Sequence, residues 1–282
     1  MIKTDTYAVF GHPINHSKSP RIHRLFAEQT GQIIEYTAQD VSAESFAATS
    51  KQFFVAGGKG LNCTVPLKEL AWQYADQLTE RAHLAKAVNT LACQADGSIL
   101  GDNTDGVGLL NDLTVNHGIT LRGARILILG AGGATRGIIP PLLEQQPADL
   151  TIVNRTVSKA QIIAQDLATL GTIRTCDYTS LQGQQFDLIL NATSASLSDQ
   201  LPPLTDNLLC SGGSCYDLAY ANQATAFVQW GVEHLAAHSL DGLGMLVEQA
   251  AEAFYIWRGI RPETTAIIKL LNDERQITNI NG

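Results

Sequence analysis

The sequence predicts an α/β protein of two domains, the second built on a doubly wound parallel sheet. Three observations carry that prediction. The apolar run Ile126-Leu127-Ile128-Leu129 breaks into Gly130-Ala131-Gly132-Gly133-Ala134-Thr135-Arg136-Gly137, the pattern of a buried strand that turns through glycines into a helix. Strand and helix signals alternate on both sides of that turn, as they do in βαβ architectures. At 282 residues the chain is too long for one small core and fits two domains.

Taken in order, Tyr7-Ala8-Val9-Phe10 closing at Gly11 predicts a strand over 5–11. Ser19-Pro20 reads as an N-cap followed by proline at the first helical position, with Gly31 placed to end the helix after Thr30. Alternating signals up to Leu100 predict an α/β domain over 1–104. From Arg125 strands are predicted at about 125–129, 150–153, 172–176 and 186–190, with helices near 134–145 and 157–170. Further strands near 214–218 and 233–237 complete a Rossmann-type domain over 105–239. A helix from Gly242 to Arg258, stopped by Gly259, and a last helix opening near Pro262 make a segment over 240–282, expected to pack back on the first domain. With no repeat or low-complexity linker, the boundaries are expected in short or helical connections near 104–106 and 238–242.

Hydrophobic content of 45% and charged content of 16% describe an ordinary globular protein. The net charge of −8 is spread without acidic or basic runs, which argues against nucleic-acid and membrane-surface partners. Five cysteines (Cys63, Cys93, Cys176, Cys210, Cys215) are odd in number and form no CxxC pair. That speaks for small hydrophobes in a reducing compartment, and against disulfides or structural zinc. No His/Cys/carboxylate cluster suggests a metal. The start Met1-Ile2-Lys3-Thr4-Asp5-Thr6 lacks a signal-peptide pattern, and no apolar run reaches spanning length. The expected location is the cytoplasm.

The predicted strand at 150–153 ends in Asn154-Arg155-Thr156, with Lys159 one helical turn further on. An NAD-binding unit places Asp or Glu here for the ribose hydroxyls. A cation with amide and hydroxyl donors suits a 2′-phosphate instead, so the expected cofactor is NADP(H). It would lie on Gly130, Ala131, Gly132, Gly133 and Ala134 and on Asn154, Arg155, Thr156 and Lys159. A ligand-free βα turn would show the same glycines, and Thr135 stands where a third glycine is often found. Arg155 and Lys159 turn the reading toward the nucleotide.

Four polar clusters lie outside that unit. In Asn15-His16-Ser17-Lys18-Ser19-Pro20, two serines two apart face the same side of an extended segment and can bind a carboxylate without adding charge. Ser19 before proline is equally a helix cap. In Asn62-Cys63-Thr64-Val65-Pro66-Leu67-Lys68, Asn62 and Thr64 share a face, and Pro66 marks a helix start with Lys68 in its first turn. That helix end favours anions, an unusual seat for a cation that suits proton exchange; a solvated lysine is the alternative. Asn89 and Asp105 fit turn and cap roles. Together the four clusters supply amide, hydroxyl, carboxylate and ammonium groups that match a small polyhydroxylated acid.

GHPINHSKSP at 11–20, NCTVPLK at 62–68, AVNTL at 87–91, GDNTDGVG at 101–108, GAGGATRG, VNRTVSKA at 153–160, NATS at 191–194 and DGLGMLVEQA at 241–250 occur here in one order. Through essentially its whole length the chain resembles the NADP-dependent, biosynthetic shikimate dehydrogenases. The resemblance implies reversible reduction of 3-dehydroshikimate to shikimate, on the route to chorismate and aromatic amino acids. It implies Ser17, Ser19 and Tyr220 on the substrate carboxylate, and Asn62, Thr64, Asn89, Asp105 and Gln249 on its ring hydroxyls. Lys68 would be the acid/base residue, paired with Asp105. Thr193, Leu218, Gly242 and Met245 would surround the nicotinamide, and Glu80 matches a position tied to the cofactor. Met245 and Gln249, four apart, share a helical face.

The chain departs from the family pattern in three places. Ser196 stands where glycine is usual, which puts the loop after that strand in question. Lys86 precedes AVNTL where glycine is common, which predicts a different cap. Cys63 and Leu67 replace commoner apolar residues, a change expected to alter packing only. The implied partners are small molecules, with a monomer or homodimer as the assembly. An enzyme accepting quinate and NAD is the nearest rival. A non-catalytic sensor on this fold would be expected to have lost Lys68 or Asp105, and both are present.

Overall fold

The computed structural model describes residues 4–198 and 200–281. The chain divides into two compact units. The first runs to Gly108 and resumes over Leu246–Ile267; the second takes Leu109–Met245 and resumes at Ile268. The segment 240–282 is thus shared rather than joined whole to the first unit. Its last helix belongs with the second unit, where Arg275 pairs with Asp241 and donates to the Ala221 carbonyl.

The first unit opens with β1 (Asp5–Gly11), α1 (Ser19–Thr30), β2 (Ile34–Asp40), α2 (Phe46–Val55) and β3 (Gly60–Cys63). It continues through α3 (Lys68–Tyr74), β4 (Gln77–Leu78), α4 (Glu80–Ala85), β5 (Thr90–Cys93), β6 (Ile99–Asp102) and the start of α5 (Asp105–Asn111). The sheet order is β2-β1-β3-β5-β6-β4. β1 runs parallel to both neighbours, whereas β5 is antiparallel to β3 and β6. Five consecutive buried residues in β1 fit an internal strand covered on both faces. Its Ala8 and Phe10 meet Leu61, Cys63, Leu67, Val88 and Leu91 in one cluster. α1 buries Ile22, His23, Phe26 and Ala27, one face of a helix, and ends at Gly31 in the left-handed region with its N–H on the Ala27 carbonyl.

Ser19 is not the cap of α1 but its first residue, with Lys18 in the cap position. The Ser17 hydroxyl lies 3.3 Å from the Ser19 N–H and accepts from it. Pro20 has no N–H to satisfy, so the serine two residues before Ser19 serves the end of the helix.

The second unit carries β7 (Arg125–Leu129), α6 (Gly133–Glu144), β8 (Asp149–Val153), α7 (Val157–Asp166), β9 (Arg174–Cys176) and β10 (Phe186–Asn191). Then follow β11 (Leu209–Asp217), α8 (Ala226–Glu233), β12 (His238–Leu240), α9 (Leu243–Arg258) and α10 (Thr265–Asn281), the last two shared with the first unit. All strand pairs are parallel, in the order β12-β11-β10-β7-β8-β9. The order reverses at β7 and β10, the switch point where doubly wound sheets bind ligands.

The strand expected at 233–237 is displaced to β12. Residues 226–233 are instead helical, capped by the Thr225 hydroxyl on Val228 N–H, with Phe227 and Trp230 on the buried face. Val232 and Leu235, which imitated a strand, are 63% and 87% exposed. Leu235 takes a left-handed φ of 56° that turns the chain into β12. The last helix opens at Thr265, not near Pro262. Arg261 pairs with Glu252 and Glu248, and the Thr264 hydroxyl donates to Glu248, so the preceding segment is held out of the helix.

Candidate active site

In the first unit, Pro66 does not start α3: it follows a cis peptide bond in a turn, and the helix begins at Lys68. Lys68 still occupies the first turn, and its Nζ lies 2.6 Å from Asp105 Oδ2, the side chains 23% and 9% exposed. Asp105 opens α5, where the dipole favours a carboxylate, and its N–H donates to Asn103 Oδ1 at 3.1 Å. Asp105 is therefore the first residue of that helix rather than its cap, and Asn103 satisfies its N–H. The ion pair offsets the unfavourable dipole that α3 presents to Lys68.

The other Asp105 oxygen accepts from Asn89 Nδ2 at 2.9 Å. The same nitrogen lies 2.9 Å from Thr104 Oγ1 and 3.2 Å from Gln249 Oε1. Asn89 Oδ1 accepts from the Thr104 N–H at 2.8 Å and the Thr90 hydroxyl at 3.0 Å. Thr90 in turn accepts from Asn62 Nδ2 at 3.1 Å. One polar row thus runs Asn62–Thr90–Asn89–Asp105–Lys68. Thr64 follows β3, half-buried, its methyl so close to Gly11 that a Cβ there would lie 2.4 Å away. Gln249 is half-buried and donates to the Leu246 carbonyl at 2.7 Å.

Ser17 and Ser19 do not stand side by side on an extended segment, because Lys18 between them is helical. Their nearness comes from the Ser17 hydroxyl reaching back to the Ser19 amide. Glu80 is exposed in the first turn of α4, beside the Thr79 cap, the ordinary place of a helix-start acid.

The support behind this row carries no motif of its own. Arg81 donates twice to Asp102, at 2.6 Å on each oxygen, and Thr79 and the Asn103 N–H donate to the same carboxylate. Burial alone would raise the Asp102 carboxyl; these donors outweigh it and hold the group below the usual range. The 101–105 loop is thereby fixed. Lys86, expected to need another cap, adopts the left-handed conformation itself at φ 50°, its N–H on the His83 carbonyl at 3.3 Å. The backbone keeps the geometry that glycine would supply more cheaply.

In the second unit, Gly130 has φ 102° and its N–H donates to the Val153 carbonyl at 2.8 Å. Fully buried Thr135 donates to the Gly130 carbonyl at 3.0 Å, so a hydroxyl holds the turn where a third glycine is often found. Gly132 precedes α6 and Gly133 and Ala134 open it; a Cβ on either glycine would meet nothing within 4 Å. The first-turn amides of such a helix have no partners within it and suit a pyrophosphate. Beyond β8, Asn154 Nδ2 donates to the Thr156 carbonyl at 2.8 Å and folds the loop, leaving Arg155, Thr156 and Lys159 exposed. Two cations at this place, with no acid, fit a phosphorylated ribose.

The Thr193 N–H and hydroxyl both donate to Asn191 Oδ1, at 3.1 and 2.7 Å. Ser196, the departure from glycine, donates to Asp217 Oδ2 at 2.5 Å and accepts from Asn191 Nδ2 at 3.0 Å. Its hydroxyl ties the loop down. Asp217 is fully buried, which raises its carboxyl above the usual range although Ser196, Thr225 and the Ala219 N–H all donate to it. The Leu218 N–H donates to the Asn191 carbonyl at 2.9 Å. A Cβ on Gly242 would come within 2.2 Å of the Leu218 carbonyl oxygen, so only glycine fits there. Met245 is buried, its N–H on the Tyr216 hydroxyl at 3.2 Å, and Tyr216 donates to Asp112 at 2.6 Å. Tyr220 is half-buried in this unit.

All five cysteines are free thiols, and burial pushes Cys63 and Cys215 up to about 12. Among the described residues no His/Cys/Asp/Glu group is placed to hold a metal, and no helix is long and apolar enough to cross a membrane.

Three family models match along the chain: the shikimate dehydrogenase substrate binding domain over 9–91, shikimate/quinate 5-dehydrogenase over 113–198, and the shikimate 5′-dehydrogenase C-terminal domain over 242–271. The shikimate dehydrogenase (NADP(+)) of Methylococcus capsulatus is 58% identical, covering 98% of this chain and 99% of that protein. An Ael1 enzyme of Pseudomonas putida superposes with a TM-score of 0.89 at 47% identity, over 95% of this chain and 98% of its own. The shikimate 5-dehydrogenase of Thermus thermophilus, in complex with NADP(H) and shikimate, gives 0.84 at 31% identity, over 94% and 98%. With relatives this similar over nearly its full length, the chain belongs to the shikimate dehydrogenase family.

Proposed function

We propose that Lys68 is the proton-transfer residue with which this enzyme interconverts 3-dehydroshikimate and shikimate, NADP(H) being its cofactor. The observation that carries the proposal is the Lys68–Asp105 ion pair at 2.6 Å, with Asn89 on the second carboxylate oxygen. When bound, NADPH supplies a hydride to the ring carbonyl carbon. The Lys68 ammonium gives a proton to the oxygen on which negative charge develops, and takes it back in the reverse direction. Asp105, held by its helix terminus and Asn89, keeps that ammonium aimed. Ser17 and Ser19 take the substrate carboxylate through hydroxyls, while Asn62, Thr64, Asn89 and Gln249 take ring hydroxyls. This orients the substrate before the chemistry begins.

In the second unit we assign the pyrophosphate to Gly130–Ala134 and the 2′-phosphate to Arg155, Thr156 and Lys159, with Asn154 shaping the loop. Guanidinium binds phosphate through two parallel bonds, which a neutral residue cannot match. Thr193, Leu218, Gly242 and Met245 are assigned to the nicotinamide end. Five free thiols support a reducing compartment, and we place the protein in the cytoplasm as a monomer or homodimer.

Initial rates with shikimate or quinate, crossed with NADP⁺ or NAD⁺, test the reading. Shikimate with NADP⁺ is expected to be fastest. Equal rates with both nucleotides would overturn the assignment of Arg155, and preference for quinate would overturn the substrate.

A further inference from the structure

Behind the residues assigned to the substrate stands a pair that no sequence motif marked. Tyr36, in the middle of β2, is half-buried, and its hydroxyl donates to Asn62 Oδ1 at 2.7 Å. Asn62 Nδ2 gives one hydrogen to the Asn89 carbonyl and the other to Thr90 Oγ1, both at 3.1 Å. A backbone carbonyl only accepts, which fixes the end of the amide that carries the nitrogen. Two hydrogens and one lone pair of Asn62 are therefore engaged within the protein. What it offers outward is a second lone pair on Oδ1, an acceptor for a hydroxyl of the substrate.

His23 lies behind Tyr36. Its ring is fully buried and rests flat on the phenol, with centroids 4.1 Å apart and planes 8° from parallel. Phe26 meets it edge-on at 5.8 Å, and Trp257 lies tilted beside it at 5.4 Å. Neither ring nitrogen has a hydrogen-bond partner, and burial lowers the group to about 3, so it stands there as a neutral plate.

We infer that Tyr36 is a positioning residue of the substrate seat: its hydroxyl fixes the Asn62 amide, and His23 fixes the plane of its ring. Neither touches the substrate. The inference rests on the reading that Asn62 meets shikimate.

Tyr36→Phe removes one oxygen and keeps the stacked ring. The expected result is a rise of about 3- to 10-fold in KM and in the equilibrium dissociation constant for shikimate, the scale of one neutral hydrogen bond. KM for NADP⁺ and the thermal midpoint should hardly move. His23→Ala should raise the shikimate KM in the same way, with little further loss when combined with Tyr36→Phe, and His23→Phe should restore what His23→Ala loses. A Tyr36→Phe enzyme with unchanged shikimate affinity overturns the inference, as does one that loses only thermal stability. A wild-type protein that fails to bind shikimate removes the reading of the substrate itself, and the positioning role falls with it. Normal wild-type binding with an unaffected Tyr36→Phe variant removes the positioning role alone.

Discussion

Acid should unfold the first unit through His23. The residue is fully buried among Tyr36, Phe26, Phe254 and Trp257, and its pKa is lowered to about 3, chiefly by burial. In the unfolded chain a histidine titrates near 6.5. Between those two values the unfolded chain binds one more proton than the folded one, so stability is complete above the unfolded value and falls as the pH falls. The slope approaches about 1.4 kcal/mol per pH unit, so the loss is roughly 1 kcal/mol at pH 5.5 and roughly 3 kcal/mol at pH 4.5. The matching perturbation is His23→Phe, which keeps an aromatic plate, cannot take a proton, and replaces two unpartnered nitrogens. Urea unfolding of both proteins from pH 7.5 to 4.5 measures the effect, because the common carboxylate titrations cancel in the difference. Any constant offset from repacking a phenyl ring cancels as well, since only the change in the difference with pH is read. The variant should gain on the wild type by roughly 3 kcal/mol over that range. Stability curves that stay parallel would refute a neutral, buried His23.

Lys68→Ala should lower turnover by about 10²–10⁴-fold at saturating substrates while NADP⁺ binding survives; a near-normal kcat with only KM raised would reduce Lys68 to a binding residue. Arg155→Ala should raise KM for NADP⁺ far more than for NAD⁺ in steady-state assays, and equal effects would show that the 2′-phosphate is read elsewhere. Lys86→Gly should stabilise the protein by about 0.5–1 kcal/mol, since relief of the left-handed lysine exceeds the entropy that glycine adds to the unfolded chain. Thermal or urea unfolding checks it, and a destabilised variant would mean that the lysine side chain makes contacts outweighing the strain.

The doubly wound unit was legible because its signals are local. An apolar strand, a glycine turn and the start of a helix sit within a dozen residues around Gly130, and β8, the turn at Arg155 and α7 follow in the same strand-turn-helix order, without the glycines. The displaced strand shows where local reading fails. Val232 and Leu235 are apolar yet exposed, and one left-handed residue at 235 decides where β12 begins. Lys68, Asn89 and Asp105 could be picked out as chemical groups, but their partners could not. Asn62 faces Thr90 only because β3 pairs antiparallel with β5 in that register, and Tyr36 reaches Asn62 only because β1, flanked by β2 and β3, sets their spacing. Arg81 and Asp102 are likewise brought together by α4 and β6. Hydrogen-bond networks are set by sheet register, which a single chain of letters does not print.

The path of the chain between its two units bears on the order in which the protein assembles during synthesis. The first unit contains the N-terminus, yet Trp257 donates to the Leu91 carbonyl at 3.0 Å and stacks on Tyr7, and Arg258 bonds Gln32 and Asp5. Those partners leave the ribosome about 250 residues after Asp5, at roughly 5–20 residues per second. The N-terminal sheet must therefore wait, incomplete, while most of the second unit is made. A fragment ending at residue 108 would leave Phe26 and His23 without the Phe254 and Trp257 side chains that cover them. Fusing residues 246–267 onto that fragment would return those side chains, and is the shortest route to an excised first unit.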